Sequence, residues 1–199
     1  MNNILQENTP TIFTERLILR KFTLSDLPHY YKIMSCKVTN KYLPWFPPKS
    51  ESEALSLLCK NCLDTYDLPC GYRYAVCLKE NNVPIGYCGS SGTESNDIGY
   101  GLLKDFWHKG IMTEAVTALV DRMKNAGYPY ITATHDVNNI YSGAVMRKVG
   151  MRYKYSYNEV WQPKNYLVTF RMYQLNFDGV NRTYMEYWDK YSHFVEQIL

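Results

Sequence analysis

The sequence lacks the features that mark a secreted, membrane-spanning or disordered protein. No stretch of its 199 residues approaches the roughly 20 consecutive apolar residues that a membrane-spanning helix needs. The N-terminal stretch MNNILQENTPTIF has neither a basic segment nor a long apolar run, so we expect no signal peptide and a cytoplasmic location. Repeats, low-complexity runs and linkers are also missing. These absences favour one soluble domain over residues 1–199, with no membrane partner.

An excess of charge of one sign is also missing. The formal net charge is only +3, which is too weak for a dedicated nucleic-acid binder, so we expect no nucleic-acid partner. The six cysteines include one CxxC, at Cys59 and Cys62, and no second CxxC follows. Zinc spacings are specific, so we interpret these residues as reduced core thiols and expect no metal.

A strand, a short loop and a helix occupy residues 97–123, and the rest of the chain is organised around them. Residues 97–103 form a strand-like run. A loop with His108, Lys109 and Gly110 follows. Beyond it, apolar residues recur at i, i+3, i+4, i+7, i+8 and i+11, which predicts one buried helical stripe: Met112, Ala115, Val116, Leu119, Val120 and Met123.

The loop before this helix has the composition of an anion site. The first backbone N–H groups of a helix lack partners within it, and the helix dipole favours negative charge there. Gly110 allows a bound group to approach closely, while His108 and Lys109 add donors. A phosphate site is one interpretation. The other is an ordinary connection in which Gly110 only makes the turn.

The remaining strand patterns predict a mostly antiparallel sheet. A meander is expected at residues 73–79, 83–91 and 97–103, joined by turns rich in Asn and Gly. A strand at residues 130–134 follows the central helix, so we expect it to lie parallel to residues 97–103. Further strands are predicted at residues 16–21, 152–161 and 166–175.

Capping residues and apolar spacing predict four more helices. Three begin at capping residues: Ser25 and Asp26, Ser50 with Glu53, and Thr183 with Glu186. A short helix is expected at about residues 142–149. The last helix, over residues 183–199, has one aromatic face that we expect to pack on its own core rather than on a partner: Tyr184, Tyr187, Trp188, Tyr191, Val195 and Ile198.

Two polar residues follow the strand at residues 130–134. Asn139 and Ser142 lie three residues apart, at the start of the short helix. Ligands of sheets with parallel neighbours bind at the carboxyl ends of strands, so Asn139 could reach a ligand amide. Helix capping is the plainer interpretation of both residues.

Two segments, taken in this order, resemble the GNAT superfamily of acyl-CoA-dependent N-acetyltransferases. The first is WHKGIMTEA at residues 107–115. The second, at residues 139–151, contains Asn139, Ser142 and the terminal Gly150-Met151 pair. The opening TERLILR at residues 14–20 is similar to the branch that includes the Rim-type ribosomal-protein acetyltransferases. The resemblance covers a core of residues 11–175, and residues 176–199 look like a C-terminal helical extension.

The resemblance implies an α+β fold, the three-layer α/β arrangement of that superfamily. Its mixed, mostly antiparallel sheet has about seven strands, with helices on both faces and here an extra C-terminal helix. A V-shaped splay separates the fourth and fifth strands, at residues 97–103 and 130–134. The pantetheine arm of acetyl-CoA, the expected cosubstrate, would fill that gap.

The same resemblance assigns cofactor-binding residues by position. The backbone of Leu102 and Leu103 would pair with pantetheine, and Asn139 would contact it. Ser142 would lie near the cofactor sulfur, where a Ser or Tyr of relatives protonates the leaving thiolate. The diphosphate would rest on the amides of one loop: His108, Lys109, Gly110, Ile111, Met112 and Thr113. Met112 is larger than the residue usual there and could tighten the loop.

Acyl transfer to an amine needs a proton acceptor, because an ammonium group cannot attack a thioester. The candidate bases are Glu94 and Asp97 near the start of the fourth strand, His135 at the end of the fifth, and Glu159 on the sixth. His135 has an ordinary pKa of about 6.5, close to working pH. A structural histidine at a strand end is its plainer interpretation, and Glu94 can equally be a solvated turn residue.

The paired motifs predict an acetyl-CoA-dependent N-acetyltransferase, acting as a monomer or homodimer. It would acetylate a primary amine of a small molecule or a protein N-terminus by direct attack in a ternary complex. Residues 44–46 and the hairpin at Tyr166 would flank the acceptor entrance. A non-catalytic acyl-CoA-binding sensor or interaction module is the alternative, motivated by the absence of an evident base. A plain nucleotide-phosphate binder is a third hypothesis.

Overall fold

The computed structural model describes residues 8–69 and 71–197, so Cys70 and Ile198 lie outside it. Its first sheet pairs five antiparallel strands in chain order: Ile12–Phe13 (β1), Leu17–Lys21 (β2), Tyr72–Leu78 (β3), Pro84–Ser90 (β4) and Ile98–Leu102 (β5). The second sheet contains Tyr130–Asp136 (β6), Arg152–Trp161 (β7), Tyr166–Asn176 (β8) and Ser192–Phe194 (β9). Their order is β6-β8-β7-β9. The added strands β1 and β9 bring the total in these ranges above the seven predicted.

In the described part of the chain, five α-helices cover the sheets: Leu27–Ser35 (α1), Glu51–Asn61 (α2), Ile111–Asn125 (α3), Ile140–Lys148 (α4) and Glu186–Lys190 (α5). On one face, α3 and α4 pack in a core with β2 to β6, whereas α1 and α2 pack on the opposite face of the first sheet. This confirms the prediction of helices on both faces. Within residues 8–69 and 71–197, no helix is long and apolar enough to cross a membrane.

Helix α3 follows the predicted pattern closely. All six predicted apolar positions are buried, and the helix begins directly after Gly110. Ala126 caps its C-terminal end, and Gly127 follows in a left-handed conformation, with a φ of 84°. The period of the apolar residues therefore predicted both the extent of this helix and the face that it buries.

The starts of α1 and α2 differ from the predicted caps. A 3-10 turn, Leu24–Asp26, precedes α1, and Thr23 caps it. The Asp26 carboxylate is bound by Arg20, at 2.7 and 2.9 Å, so it does not cap α1 as predicted. Ser50 does cap α2, but the Glu53 carboxylate accepts from the Lys49 backbone instead of completing the box.

The predicted C-terminal helix over residues 183–199 is wrong for most of its length, because only Glu186–Lys190 are helical in its described part, which ends at residue 197. The chain forms the short α5, capped at Met185 and not at Thr183, and then β9, which pairs with β7. The free edge of β7 offers backbone hydrogen bonds that a continued helix would leave unmade. The aromatic face does pack on the protein's own core, since the rings of Tyr187 and Tyr191 stack on Tyr157 at 5.1 and 5.2 Å. We call residues 183–197 the C-terminal strap.

Candidate functional site

The two sheets separate between β5 and β6. These strands run parallel, and their one bridge joins Asp97 to Thr132 at the start of β5. Beyond that bridge, β5 pairs only with β4, and β6 pairs only with β8. The result is the V-shaped gap that was predicted between residues 97–103 and 130–134.

The open edge of β5 presents backbone donors to this gap. The N–H of Leu103 donates to the carbonyl of Ile85 at 3.0 Å, so it belongs to the β4 side. Neighbouring residues of an antiparallel strand face opposite edges. The N–H groups of Tyr100 and Leu102 therefore point into the gap, and Leu103, which was predicted to line it, does not.

Helix α3 begins without a side-chain cap. Gly110, with a φ of 73°, is its N-terminal residue, and the N–H groups of residues 111–113 have no acceptor in the described part of the chain. The side chains of Ile111 and Met112 are 4% and 7% exposed. Because both turn into the core, the larger residue at 112 leaves these amides open. The arrangement fits an anion bound at a helix N-terminus.

In the same loop, the His108 side chain contacts the start of α4, whereas the Lys109 side chain turns away from the anion site. His108 has a φ of 59°, a conformation that non-glycine residues adopt rarely. Its ring meets the edge of Tyr141 at 4.9 Å, which joins the loop to the start of α4. Lys109 turns away, because its ammonium donates to the carbonyl of Asp105 at 2.9 Å. Backbone amides, rather than Lys109, therefore supply the donors of the anion site.

A cavity of about 510 Å³ connects the gap, the start of α3 and the loop after α1. Most of the predicted cofactor residues line it: Leu102, His108, Gly110, Ile111, Met112, Thr113, Asn139 and Ser142. Thr39, Lys41 and Tyr42 line its other side. Its lining residues therefore come from α3, α4 and β5 and also from the loop after α1.

Ser142 meets Tyr100 where the cavity reaches β5. The Ser142 hydroxyl donates to the Tyr100 hydroxyl at 3.1 Å, and the Tyr100 hydroxyl donates to the Ser142 carbonyl at 2.8 Å. Burial raises the pKa of Tyr100, so its hydroxyl stays protonated. Asn139 caps α4 by accepting from the Ser142 N–H at 3.4 Å, which confirms the capping interpretation while leaving Asn139 on the cavity wall.

His135 lies behind α4, outside the cavity. It is 4% exposed, and its Nδ1 lies 2.8 Å from the Asp136 carbonyl, which is the structural role described above as the plainer one. A Cβ on Gly143 would lie 2.6 Å from Nε2, so α4 packs directly on the ring. Burial lowers the pKa of His135, which keeps the ring neutral near pH 7.

Neither Glu94 nor Glu159 lines the cavity. Glu94 is exposed in the turn before β5, near Tyr130 at the far end of β6. Glu159 lies on β7 and hydrogen-bonds Tyr191 of the C-terminal strap. Glu94, Glu159 and His135 therefore do not share the cavity wall with Ser142.

Asp97 stands at the closed end of the gap. The residue is half-buried, and its carboxyl group accepts from the Thr132 hydroxyl at 3.2 Å. Burial raises the pKa of Asp97 to about 7, although the bond from Thr132 opposes the shift. A carboxyl group in this state can take up a proton near neutral pH.

Sequence reasoning missed Tyr100, Thr39 and Arg16 as site residues. Tyr100 sits on a strand already assigned to the cofactor, where alternation could have placed its N–H beside that of Leu102. Thr39 donates to the Leu102 carbonyl at 3.2 Å from a loop with no regular pattern. Arg16 binds the loop before α3 from 93 positions away in sequence, a contact that no local signal reveals.

Comparison with known proteins adds a family match. Residues 16–152 match the acetyltransferase (GNAT) domain family. Among curated relatives, the uncharacterised N-acetyltransferase p20 of Bacillus licheniformis is 31% identical over 116 residues. That match covers 56% of this chain and 64% of the relative.

Solved structures share the fold. A GNAT-family acetyltransferase from Bacillus anthracis has a TM-score of 0.75 at 23% identity, covering 85% of this chain and 99% of that one. The RimL ribosomal L7/L12 alpha-N-protein acetyltransferase, solved in complex with coenzyme A, has a TM-score of 0.71 at 21% identity, covering 86% of this chain and 100% of that one.

Proposed function

The chain belongs to the GNAT acetyltransferase family, and on that premise we propose that it transfers an acetyl group from acetyl-CoA to a primary amine. Membership confirms the family predicted from the two motifs. The observation that carries the proposal is the gap between the parallel strands β5 and β6, which opens beside the uncapped start of α3. An extended arm and an anionic group, joined in one ligand, match these two features.

Acetyl-CoA would bind through backbone groups. The pantetheine amides would meet the N–H groups of Tyr100 and Leu102, and the diphosphate would rest on the amides of residues 111–113. Asn139 lines the same cavity. A RimL acetyltransferase with this fold is known in complex with coenzyme A, which supports the choice of cosubstrate.

The reaction forms a C–N bond and breaks the C–S bond of the thioester. The attacking amine loses a proton and the leaving thiolate gains one. Ser142, with Tyr100 behind it, would supply the proton to the thiolate, because its hydroxyl lies on the cavity wall. The N–H of Tyr100 or Leu102 would stabilise the charge that develops on the thioester oxygen.

Asp97 would accept the proton from the amine. It directly precedes β5, at the closed end of the gap, although like Glu94, His135 and Glu159 it does not line the cavity itself. Because its pKa is about 7, the Asp97 carboxyl group can accept a proton near neutral pH, as this step needs.

The acceptor would enter between the loop after α1 and the β7–β8 hairpin. Lys164 of that hairpin donates to the carbonyl of Lys41, a residue that lines the cavity, at 3.5 Å. Such an entrance admits the amine of a small molecule or a protein N-terminus.

Free-thiol release from acetyl-CoA tests the proposal. The protein is mixed with acetyl-CoA and a panel of polyamines, amino-acid amides and short peptides, and we expect acceptor-dependent release with at least one of them. Binding of acetyl-CoA without release on the whole panel would favour the non-catalytic sensor, which the remoteness of three predicted bases supports. ATP competing as well as CoA would instead indicate a plain nucleotide-phosphate binder.

A further inference from the structure

We infer that Arg16 is a positioning residue for the diphosphate of the cosubstrate, acting by fixing the Lys109–Gly110 peptide. The inference rests on the proposed function and assigns one more residue to the same site. Arg16 itself lies outside the cavity, so it acts through the backbone of the loop.

Arg16 is held between the loop and the first turn of α3. Its Nη1 donates to the carbonyl oxygen of Lys109 at 2.8 Å. Its Nε donates to Glu114 Oε2 at 2.7 Å, and its backbone N–H donates to Oε1 at 2.9 Å. Thr14 also donates to Oε1, at 2.6 Å. The guanidinium fork is therefore fixed by Glu114 in the orientation that reaches Lys109.

A planar trans peptide transmits this contact to the anion site. The C=O and N–H of one peptide point in opposite directions. Because the Lys109 carbonyl turns toward Arg16, the Gly110 N–H turns away from it.

Two cavities adjoin the loop at Gly110. Gly110 lines the 510 Å³ cavity that contains Ser142, and it also lines a shallower groove of about 720 Å³ beside Thr14 and Glu114. Arg16 lies on the groove side, because it bonds Glu114, which lines the groove and not the cavity. The Gly110 N–H is thereby directed toward the cavity, where it joins the amides of residues 111–113.

Positioning of the loop by Arg16 and direct binding of phosphate by Arg16 predict opposite effects when the charge of Glu114 is removed. Glu114 already neutralises the guanidinium, and the bonds from Thr14 and Arg16 lower the pKa of Glu114 in spite of its partial burial. If Arg16 bound phosphate directly, removing the Glu114 charge would strengthen cofactor binding. If Arg16 positions the loop, the same change releases the fork and weakens binding.

Calorimetric titration with CoA distinguishes these outcomes. Arg16→Lys and Glu114→Gln should each raise the Kd for CoA by roughly tenfold, the effect of about one hydrogen bond to an anion. Arg20→Lys is the matched control: it changes a nearby arginine, on β2, which pairs with Asp26 away from the loop, and should leave Kd within about twofold. At saturating acetyl-CoA, kcat should change less than about threefold in the Arg16 variant, because the loop is remote from the reacting atoms.

Unchanged CoA affinity in Arg16→Lys, or tighter binding by Glu114→Gln, would overturn the inference. The same titrations with ADP distinguish failure of the Arg16 inference from failure of the proposed acetyltransferase function. Wild-type protein that binds ADP as tightly as CoA and releases no thiol would defeat the acetyltransferase proposal, and the Arg16 effect on ADP would still decide the inference. Wild-type protein that binds neither ligand would overturn both.

Discussion

Ser142 and Tyr100 occupy the point where the cofactor cavity meets β5, and each donates a hydrogen bond to the other residue. Ser142→Ala removes the hydroxyl on the cavity wall while leaving the backbone in place. We expect kcat to fall roughly tenfold or more, since general acid catalysis is lost, with KM for acetyl-CoA within about threefold. Steady-state thiol release measures both constants. An unchanged kcat would remove Ser142 from the chemistry.

The raised pKa of Asp97 predicts how the free energy of unfolding depends on pH. Its pKa is about 7 in the folded protein and roughly 3.9 in the unfolded chain. Between these values the folded protein keeps a proton that the unfolded chain has lost. The free energy of unfolding should therefore fall as pH rises from 4 to 7, by no more than about 1.4 kcal/mol per pH unit, and level off above.

Urea unfolding at pH 5, 6, 7 and 8 checks this pH dependence. Asp97→Asn should lack the part of the decline that the wild type shows across this range. Equal declines in both proteins would mean that Asp97 is ionised in the folded state without cost, and the proposed proton acceptor would lose its physical basis.

Single residues were predicted well where their role is local. The capping by Asn139 and the placing of Gly110 at the start of α3 follow from spacing near a helix start, whereas Thr113 was assigned by the resemblance to the family. Spacing along the sequence could not reduce the candidate bases to a single residue. Whether a carboxyl or imidazole group is buried, exposed or turned from the cavity depends on elements distant in sequence, as His135 beneath α4 illustrates.

Among the elements, α3 and the C-terminal strap show where sequence patterns succeed and fail. The apolar stripe of α3 has one way to be buried, so its period predicted its structure. The strap has an aromatic stripe that suits a helix, but the open edge of β7 competes for its backbone. This pairing depends on tertiary structure, and the local helix or strand propensity of the strap does not predict it.

The strap should stabilise the second sheet through its rings. Tyr157 is 3% exposed, and its ring stacks on Phe170, Tyr187 and Tyr191. Tyr157→Leu should lower the free energy of unfolding by about 2 to 3 kcal/mol, from lost burial and stacking. Tyr166→Leu is the control, since Tyr166 is 37% exposed on β8 of the same sheet and should cost under about 1 kcal/mol.

Urea unfolding curves of the two variants test this role of the strap. Equal, small effects of both substitutions would show that the strap does not stabilise the sheet that it covers.

At the scale of the whole molecule, the separation of the two sheets is the feature on which the function depends. Apolar patterns predicted most of the strands and the parallel relation of β5 and β6. The gap itself is an absence of pairing between neighbours, which no residue pattern encodes, and only the resemblance to the family anticipated it. The single bridge at Asp97 and Thr132 fixes where the sheets part.

A crystal structure with acetyl-CoA tests the central claim most directly. We expect pantetheine to lie between β5 and β6, hydrogen-bonded to the N–H groups of Tyr100 and Leu102, with the diphosphate on the amides of residues 111–113. The thioester should lie toward Asp97 and within reach of Ser142. Strands β5 and β6 paired along their length, or a cofactor bound elsewhere on the protein, would contradict the account.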